Sequence, residues 1–262
     1  MERTLAAAGL DWRFLTLDIA PEDLAAAIDG AAAMGFIGGI VRPPHESSLA
    51  ERLSGPPSTP VQLSATVQPS ETASESEPLA ASSETAGGPR PTFAVASTRL
   101  PRIDFLVREA GRWTGRYLLG ETVVEAAASG GSPEQDVKRT AILWGKGELA
   151  EGLREMLLRA GFVVHREDET WAIGKCHAVI DARDLAESPP LAQLQHLPDS
   201  AIIIDASTPA SFSPLTQAAA GRRVVSGLDL AVSHAQTAFR HWTGGRADPQ
   251  VLREAFEEFW EI

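Results

Sequence analysis

Lysine is almost missing from this chain. Only Lys138, Lys146 and Lys175 occur among its 262 residues, so residues 1–137 and 176–262 must do without an ε-ammonium. Cysteine is scarcer still, because Cys176 stands alone. That excludes an internal disulfide and a thiolate metal cluster, and it fits a reducing compartment. Positive charge is short overall, with 23 Lys and Arg against 35 Asp and Glu and a net charge of -12. Neutralising nucleic-acid phosphates takes clustered Lys and Arg, so no nucleic-acid partner is expected. Long apolar runs are absent too. The alanine-rich stretch from Leu24 to Val41 is interrupted by Asp29, Gly30, Gly35, Gly38 and Gly39, and a membrane span needs ~20 predominantly apolar residues. Met1-Glu2-Arg3-Thr4 leads into an amphipathic stretch with no apolar signal core or small-residue cleavage site. A cytoplasmic protein with no membrane partner is the expectation.

What is present describes a globular chain. At 44% hydrophobic and 22% charged, it has enough apolar material for two packed domains. Residues 54–92 are the exception, dominated by Ser, Pro and Thr with no aromatic and no hydrophobic period. Such a segment cannot bury enough apolar surface to offset its ordering entropy, and a disordered insertion is expected.

Before the insertion, Glu2 to Ala8 reads as a helix, and Trp12 to Leu17 alternates large apolar residues as a strand would. Pro21-Glu22-Asp23 opens a helix through Ala33 that stops at Gly35, and Phe36 to Val41 reads as a strand closed by Pro43-Pro44. After it, Ile103 to Arg108 and Arg112 to Tyr117 flank Glu109-Ala110-Gly111 as a hairpin. Glu121 to Ala128 is a predicted helix. Thr140 to Trp144, a helix to Arg159 and a strand from Phe162 to His165 make a βαβ unit. Strands at Ala178 to Ala182, Ala201 to Asp205 and Arg223 to Val225 extend it into a parallel sheet. Leu230 to Trp242 and the stretch opened by Pro249 are amphipathic helices.

Between strand and helix of that βαβ unit lies Gly145-Lys146-Gly147-Glu148-Leu149-Ala150. Gly145, Gly147 and Ala150 have the spacing of the dinucleotide-binding turn, whose glycines let backbone approach a pyrophosphate held on the helix N-terminus. Glu148 puts a carboxylate where phosphates would lie, with Lys146 the neighbouring cation. The six histidines, His45, His165, His177, His196, His234 and His241, include no pair at the i, i+4 spacing of a helical metal site, and no metal is expected. Of these, His45 is a candidate proton donor near neutral pH.

Five segments, in order, resemble the shikimate dehydrogenase family. Leu5 to Ile19 (LAAAGLDWRFLTLDI) is similar to its first helix and second strand, and Gly38 to Glu46 (GGIVRPPHE) to its G-F-N-V-T-x-P-H-K loop. Ile103 to Gly120 (IDFLVREAGRWTGRYLLG) resembles V-N-T-L-V-x-x-x-G-x-x-x-G-x-N-T-D-G. Gly145 to Glu151 resembles G-A-G-G-A-A-R, and Val225 to Gly244 (VSGLDLAVSHAQTAFRHWTG) resembles V-D-G-x-x-M-L-V-x-Q-G-A-x-x-F-x-x-W-T-G. The match begins at the family's first helix, which leaves the preceding strand and its serine-bearing substrate motif outside it. The resemblance implies an α/β fold with an open-sheet substrate domain interrupted by a Rossmann domain, a doubly wound parallel sheet. It divides the chain into a substrate-binding-like domain at 1–53 and 93–120, the insertion at 54–92, a Rossmann dinucleotide-binding-like domain at 121–226, and C-terminal helices at 227–262 that pack back on the substrate-binding-like domain.

It also implies reduction of 3-dehydroshikimate by NADPH, with a lysine and an aspartate managing the proton. Carried across by position, the lysine falls on Glu46 and the aspartate on Leu119. A carboxylate beside a developing alkoxide raises the barrier, and leucine neither donates nor accepts. The two asparagines that hold substrate hydroxyls fall on Ile40 and Asp104, the loop threonine on Arg42, the second Asn-Thr pair on Tyr117 and Leu118, and the late glutamine on His234. On the cofactor side N-R-T becomes His165-Arg166-Glu167, so Arg166 is the remaining partner for a 2′-phosphate, and N-A-T-P becomes Asp181-Ala182-Arg183-Asp184. The expected cofactor-binding residues are Gly145, Gly147, Ala150 and Arg166, the expected cofactor is NADP, and no catalytic residue is assigned. The expectation is a catalytically inactive relative with a binding or regulatory role, its ligand a small molecule or a partner protein. The alternative is an active NADP-dependent oxidoreductase with a remodelled substrate site.

Overall fold

A computed structural model of the chain describes residues 5–6, 9–54, 100–130, 138–184, 186–208 and 213–260. The insertion expected at 54–92 lies outside these except for Ser54, and of the helix expected at Glu2 to Ala8 only Leu5 and Ala6 are inside. Two sheets organise the rest.

The first is antiparallel, with three strands in the order β1 (Gly38–Ile40), β2 (Phe105–Glu109) and β3 (Arg112–Arg116). Ala110 and Gly111 at its hairpin tip both have positive φ, as a tight reversal between paired strands requires. Helices α1 (Leu24–Ala33) and α2 (His45–Ser54) cover one face, burying Leu24, Ile28, Leu49 and Leu53 against Ile103, Leu106 and Trp113.

The second sheet is parallel, in the order β5 (Val163–Arg166), β4 (Thr140–Trp144), β6 (Ala178–Asp181), β7 (Ile202–Asp205), β8 (Arg223–Val225). Its central strands read as continuous apolar runs because both faces are covered. Alternate residues point to opposite sides. Leu143, Ile180 and Ile204 pack with Val123 and Ala127 of α3 (Leu118–Ser129) and Leu153 and Leu157 of α4 (Glu148–Arg159), while Ile142, Trp144, Val179 and Ile203 meet Leu194, Leu197 and Leu215, the last on α5 (Pro214–Ala218).

Helix α6 (Gly227–Thr243) leaves β8 through a capping box, with Ser226 and Asp229 each satisfying the other's backbone N–H, and ends at Gly244 with φ +70°. It runs to the first sheet, where the Trp242 indole donates to the Leu106 carbonyl at 3.1 Å and packs on Phe105. Helix α7 (Pro249–Trp260) packs on α6 through Leu252 against Leu228, Val232 and Phe239. No helix among the described residues is long and apolar enough to cross a membrane.

One expected strand is corrected. Trp12 to Leu17 has no regular secondary structure. Trp12 packs with the α6 and α7 cluster and Phe14 lies 6.5 Å from the Trp242 ring, while Leu15 and Leu17 are 58% and 53% exposed. The alternation there serves contacts with helices, not a ladder.

Candidate functional site

The dinucleotide-type turn forms where the sequence places it. Gly145 follows β4 at φ +113°, and a Cβ there would lie 2.5 Å from the Ala182 carbonyl oxygen, so only glycine fits. Gly147 is the N-cap of α4 and lends it no side-chain cap. Ala150 is fully buried in the core beneath the helix, the packing role its position in such a turn serves. Arg166, at the end of β5, donates through Nη1 to the Gly145 carbonyl at 2.9 Å and forms an ion pair with Glu151. Three of the four expected residues thus meet at one end of the sheet, and the fourth supports them from below.

Beyond the turn, the ends of β6 and β7 carry Asp181 and Asp205 in register. Arg183 donates through Nε to Asp181 at 2.8 Å and through Nη1 to the Glu187 carbonyl at 2.8 Å, and both members of the pair are buried. Burial pushes the Asp181 carboxyl up, with hydrogen bonds from Arg183 opposing it. Asp205 accepts from Ser207 through one oxygen, and its other oxygen has no partner among the described residues.

Facing the turn is a cleft of about 810 Å³ between α2, residues 100–102 and the outer face of α4. Arg102 lies at its base. Its Nε and Nη2 converge on Glu46 Oε2 at 2.7 and 2.6 Å, and the two side chains are only 7% and 9% exposed. Burial raises the Glu46 pKa, while Arg102 draws it back down. The Arg102 stem presses on Gly152 of α4, where a Cβ would come within 2.8 Å of Arg102 Cδ and 3.3 Å of the Tyr117 hydroxyl. That hydroxyl is buried and has no partner among the described residues, and burial pushes it above its ordinary pKa. Glu148, at the first position of α4, accepts from the Ser47 hydroxyl at 2.8 Å and stands 3.9 Å from Arg102 Nη1.

Asp104 and His234, substituted at two positions where the resemblance puts substrate-holding amides, are found together. Asp104 takes the backbone N–H groups of Leu118 and Leu119 at 2.7 and 2.8 Å, and His234 Nε2 lies 3.3 Å from its second oxygen. The carboxylate therefore fastens the start of α3, with the imidazole beside it. Leu119 contributes only its backbone here. Ile40 lies in β1 opposite Phe105, Arg42 is exposed, and His45 opens α2 with a buried Nδ1 that has no partner among the described residues. No cluster of metal-ligating side chains occurs among the described residues.

Three residues of this arrangement, Arg102, Ser47 and Glu151, were not expected from sequence. Arg102 stands just ahead of β2 among other arginines of the same stretch, and its partner is 56 positions away. The joint change of two amide positions to Asp104 and His234 was the signal available for their pairing.

Whether the site fits NADP can be asked of its side chains. Backbone and glycines fit a pyrophosphate, but the Arg166 guanidinium is bound within the chain and Glu148 stands at the helix N-terminus. A 2′-phosphate would have to compete with Glu151 for Arg166.

No protein-family model and no curated protein sequence matches the chain. Solved structures do. A shikimate 5-dehydrogenase from Thermus thermophilus in complex with shikimate superposes with a TM-score of 0.67 at 17% identity, covering 99% of this chain and 92% of that one. The ligand-free 5-ketofructose reductase of Gluconobacter sp. strain CHM43 gives 0.69 at 18% identity over 98% and 91%. A shikimate dehydrogenase in complex with NADP+ gives 0.62 at 15% over 98% and 88%. At this level of identity the likeness is one of architecture, and the fold of this chain is that of the shikimate dehydrogenases.

Proposed function

We propose that the chain is a catalytically inactive protein on the shikimate dehydrogenase fold, with a binding or regulatory role toward a small carboxylate or a partner protein in the cytoplasm. One observation carries this reading. Glu46, where the resemblance places the proton-transfer lysine, is buried and held by two guanidinium nitrogens of Arg102. Carbonyl reduction by hydride leaves an alkoxide that must gain a proton, and a carboxylate committed to an arginine opposes that charge. Leu119 offers no second acid or base, and Asp104 is engaged by two backbone N–H groups at the start of α3.

The purified protein should oxidise shikimate with NADP at no rate above background from neutral to alkaline pH, since loss of general acid–base help alone forfeits about 10²- to 10⁴-fold. Glu46→Lys with Leu119→Asp should not restore efficient turnover, because Ile40, Asp104 and His234 still replace the amides that would hold substrate. Ordinary turnover by the unmodified protein would sink this reading. It would favour the second one, an active NADP-dependent oxidoreductase with a remodelled site, for which the His234 imidazole lying 3.3 Å from Asp104 is the supporting observation.

A further inference from the structure

The charged groups around the glycine turn are arranged in a way that the loss of proton transfer does not explain. In a dinucleotide fold the pyrophosphate sits at the N-terminus of the helix after the glycine turn, and an arginine near the end of the second strand takes the 2′-phosphate of NADP. Both places already hold a negative group here. Glu148 is the first residue of α4, favourably placed against the helix dipole, and it is held from across the cleft by the Ser47 hydroxyl at 2.8 Å with Arg102 at 3.9 Å. One turn further on, Glu151 forms the ion pair with Arg166, whose Nη1 is also bonded to the Gly145 carbonyl.

We propose that Glu148 and Glu151 stand in, from within the chain, for the pyrophosphate and the 2′-phosphate of a dinucleotide, so that the Rossmann unit is self-neutralised and does not take NADP. An incoming NADP must displace Glu151 from Arg166 and lie against Glu148. Lys146 is the cation of the turn and lines the cleft, and one ammonium does not balance these groups. Glu167, Asp168 and Glu169 follow Arg166 in sequence. Glu169 is kept ionised by hydrogen bonds from the Arg166 backbone and from His165, so the strand end repels a second phosphate.

The proposal is read by binding, without turnover, so its failure is separable from failure of the proton-transfer argument. The Glu148 and Glu151 side chains are 76% and 54% exposed, so substitution leaves the core intact. Calorimetry with 2′,5′-ADP, NADPH and NADH as probes should detect no binding to the unmodified full chain at about 1 mM, the range of a −4 kcal/mol interaction. Glu148→Ala with Glu151→Gln should strengthen 2′,5′-ADP and NADPH binding roughly tenfold or more, and adding Arg166→Ala should cancel that gain. Micromolar binding of NADPH or NADH by the unmodified protein would overturn the proposal. So would a cooperatively folded double variant that gains nothing, or a gain that persists without Arg166.

Discussion

The parallel sheet and the antiparallel sheet bury different things. In the first, β4, β6 and β7 place Ile, Val, Leu and Ala against helices on both sides, and the charged pair Asp181–Arg183 sits at a strand end. In the second, a smaller apolar core lies under α1 and α2, and Glu46, Arg102 and Asp104 are buried along the border with α4 and α6. The parallel unit is thus stabilised chiefly by apolar area, with its buried Asp181–Arg183 pair confined to a strand end, and the antiparallel unit carries its buried charges along the border, where their desolvation must be offset by geometry. A fold held in the first way keeps its architecture when its site side chains change. The border of the second unit changes its chemistry and its stability together.

Breaking the buried pair should give the largest effect. Arg102→Met leaves Glu46 buried without a partner and should destabilise the protein by about 3–5 kcal/mol in denaturant unfolding, whereas Arg102→Met with Glu46→Leu should recover most of the loss. Burial sets the Glu46 pKa above its ordinary value in the folded protein. Its contribution therefore favours the fold at low pH and is lost as pH rises through the folded value, so the single variant should suffer most near neutrality. Equal losses in single and double variants would show that the pair is not what the border depends on.

In the parallel unit, Leu153→Ala removes a fully buried side chain from the α4 face. It should cost about 2–5 kcal/mol, with the same loss at acid and neutral pH. A pH-dependent loss there would erase the contrast between the units.

The smallest effect tests the link between them. Asp229 in the α6 capping box also pairs with Arg253 of α7. Burial pushes its carboxyl up, but hydrogen bonds from Arg253 and Ser226 outweigh that and hold it below its ordinary value. Its stabilisation is present above the unfolded pKa and is lost as pH falls through the lower folded one. Asp229→Asn should lower stability by roughly 0.2–1 kcal/mol near neutrality, and the difference should vanish in acid. A difference that grows in acid would reverse the sign argued here.

Most of the parallel sheet was legible, because β4, β6, β7 and β8 are short apolar or β-branched runs bounded by turn residues, and Gly145 and Gly147 mark the turn directly. Trp12 to Leu17 misled because period-two alternation reports only which side chains are buried, and here α6 and α7 provide the burial. Helix α3 begins at Leu118, three residues before the expected Glu121, because Asp104, just ahead of β2, satisfies its first N–H groups. At the site, the replaced positions Glu46, Leu119 and His234 were readable one by one. Their partners were not, since Arg102 to Glu46 and Asp104 to His234 are contacts of tertiary structure that no local spacing encodes.

Gly152 gives the cleft a mechanical character. With no side chain at that position, α4 closes onto the stem of Arg102 and keeps water from the Glu46 pair. Each desolvated ion carries a penalty of several kcal/mol, which the two guanidinium contacts to Glu46 offset. Filling the position of Gly152 would hold α4 off Arg102 and admit water to the pair, so one missing side chain sets how dry the border is.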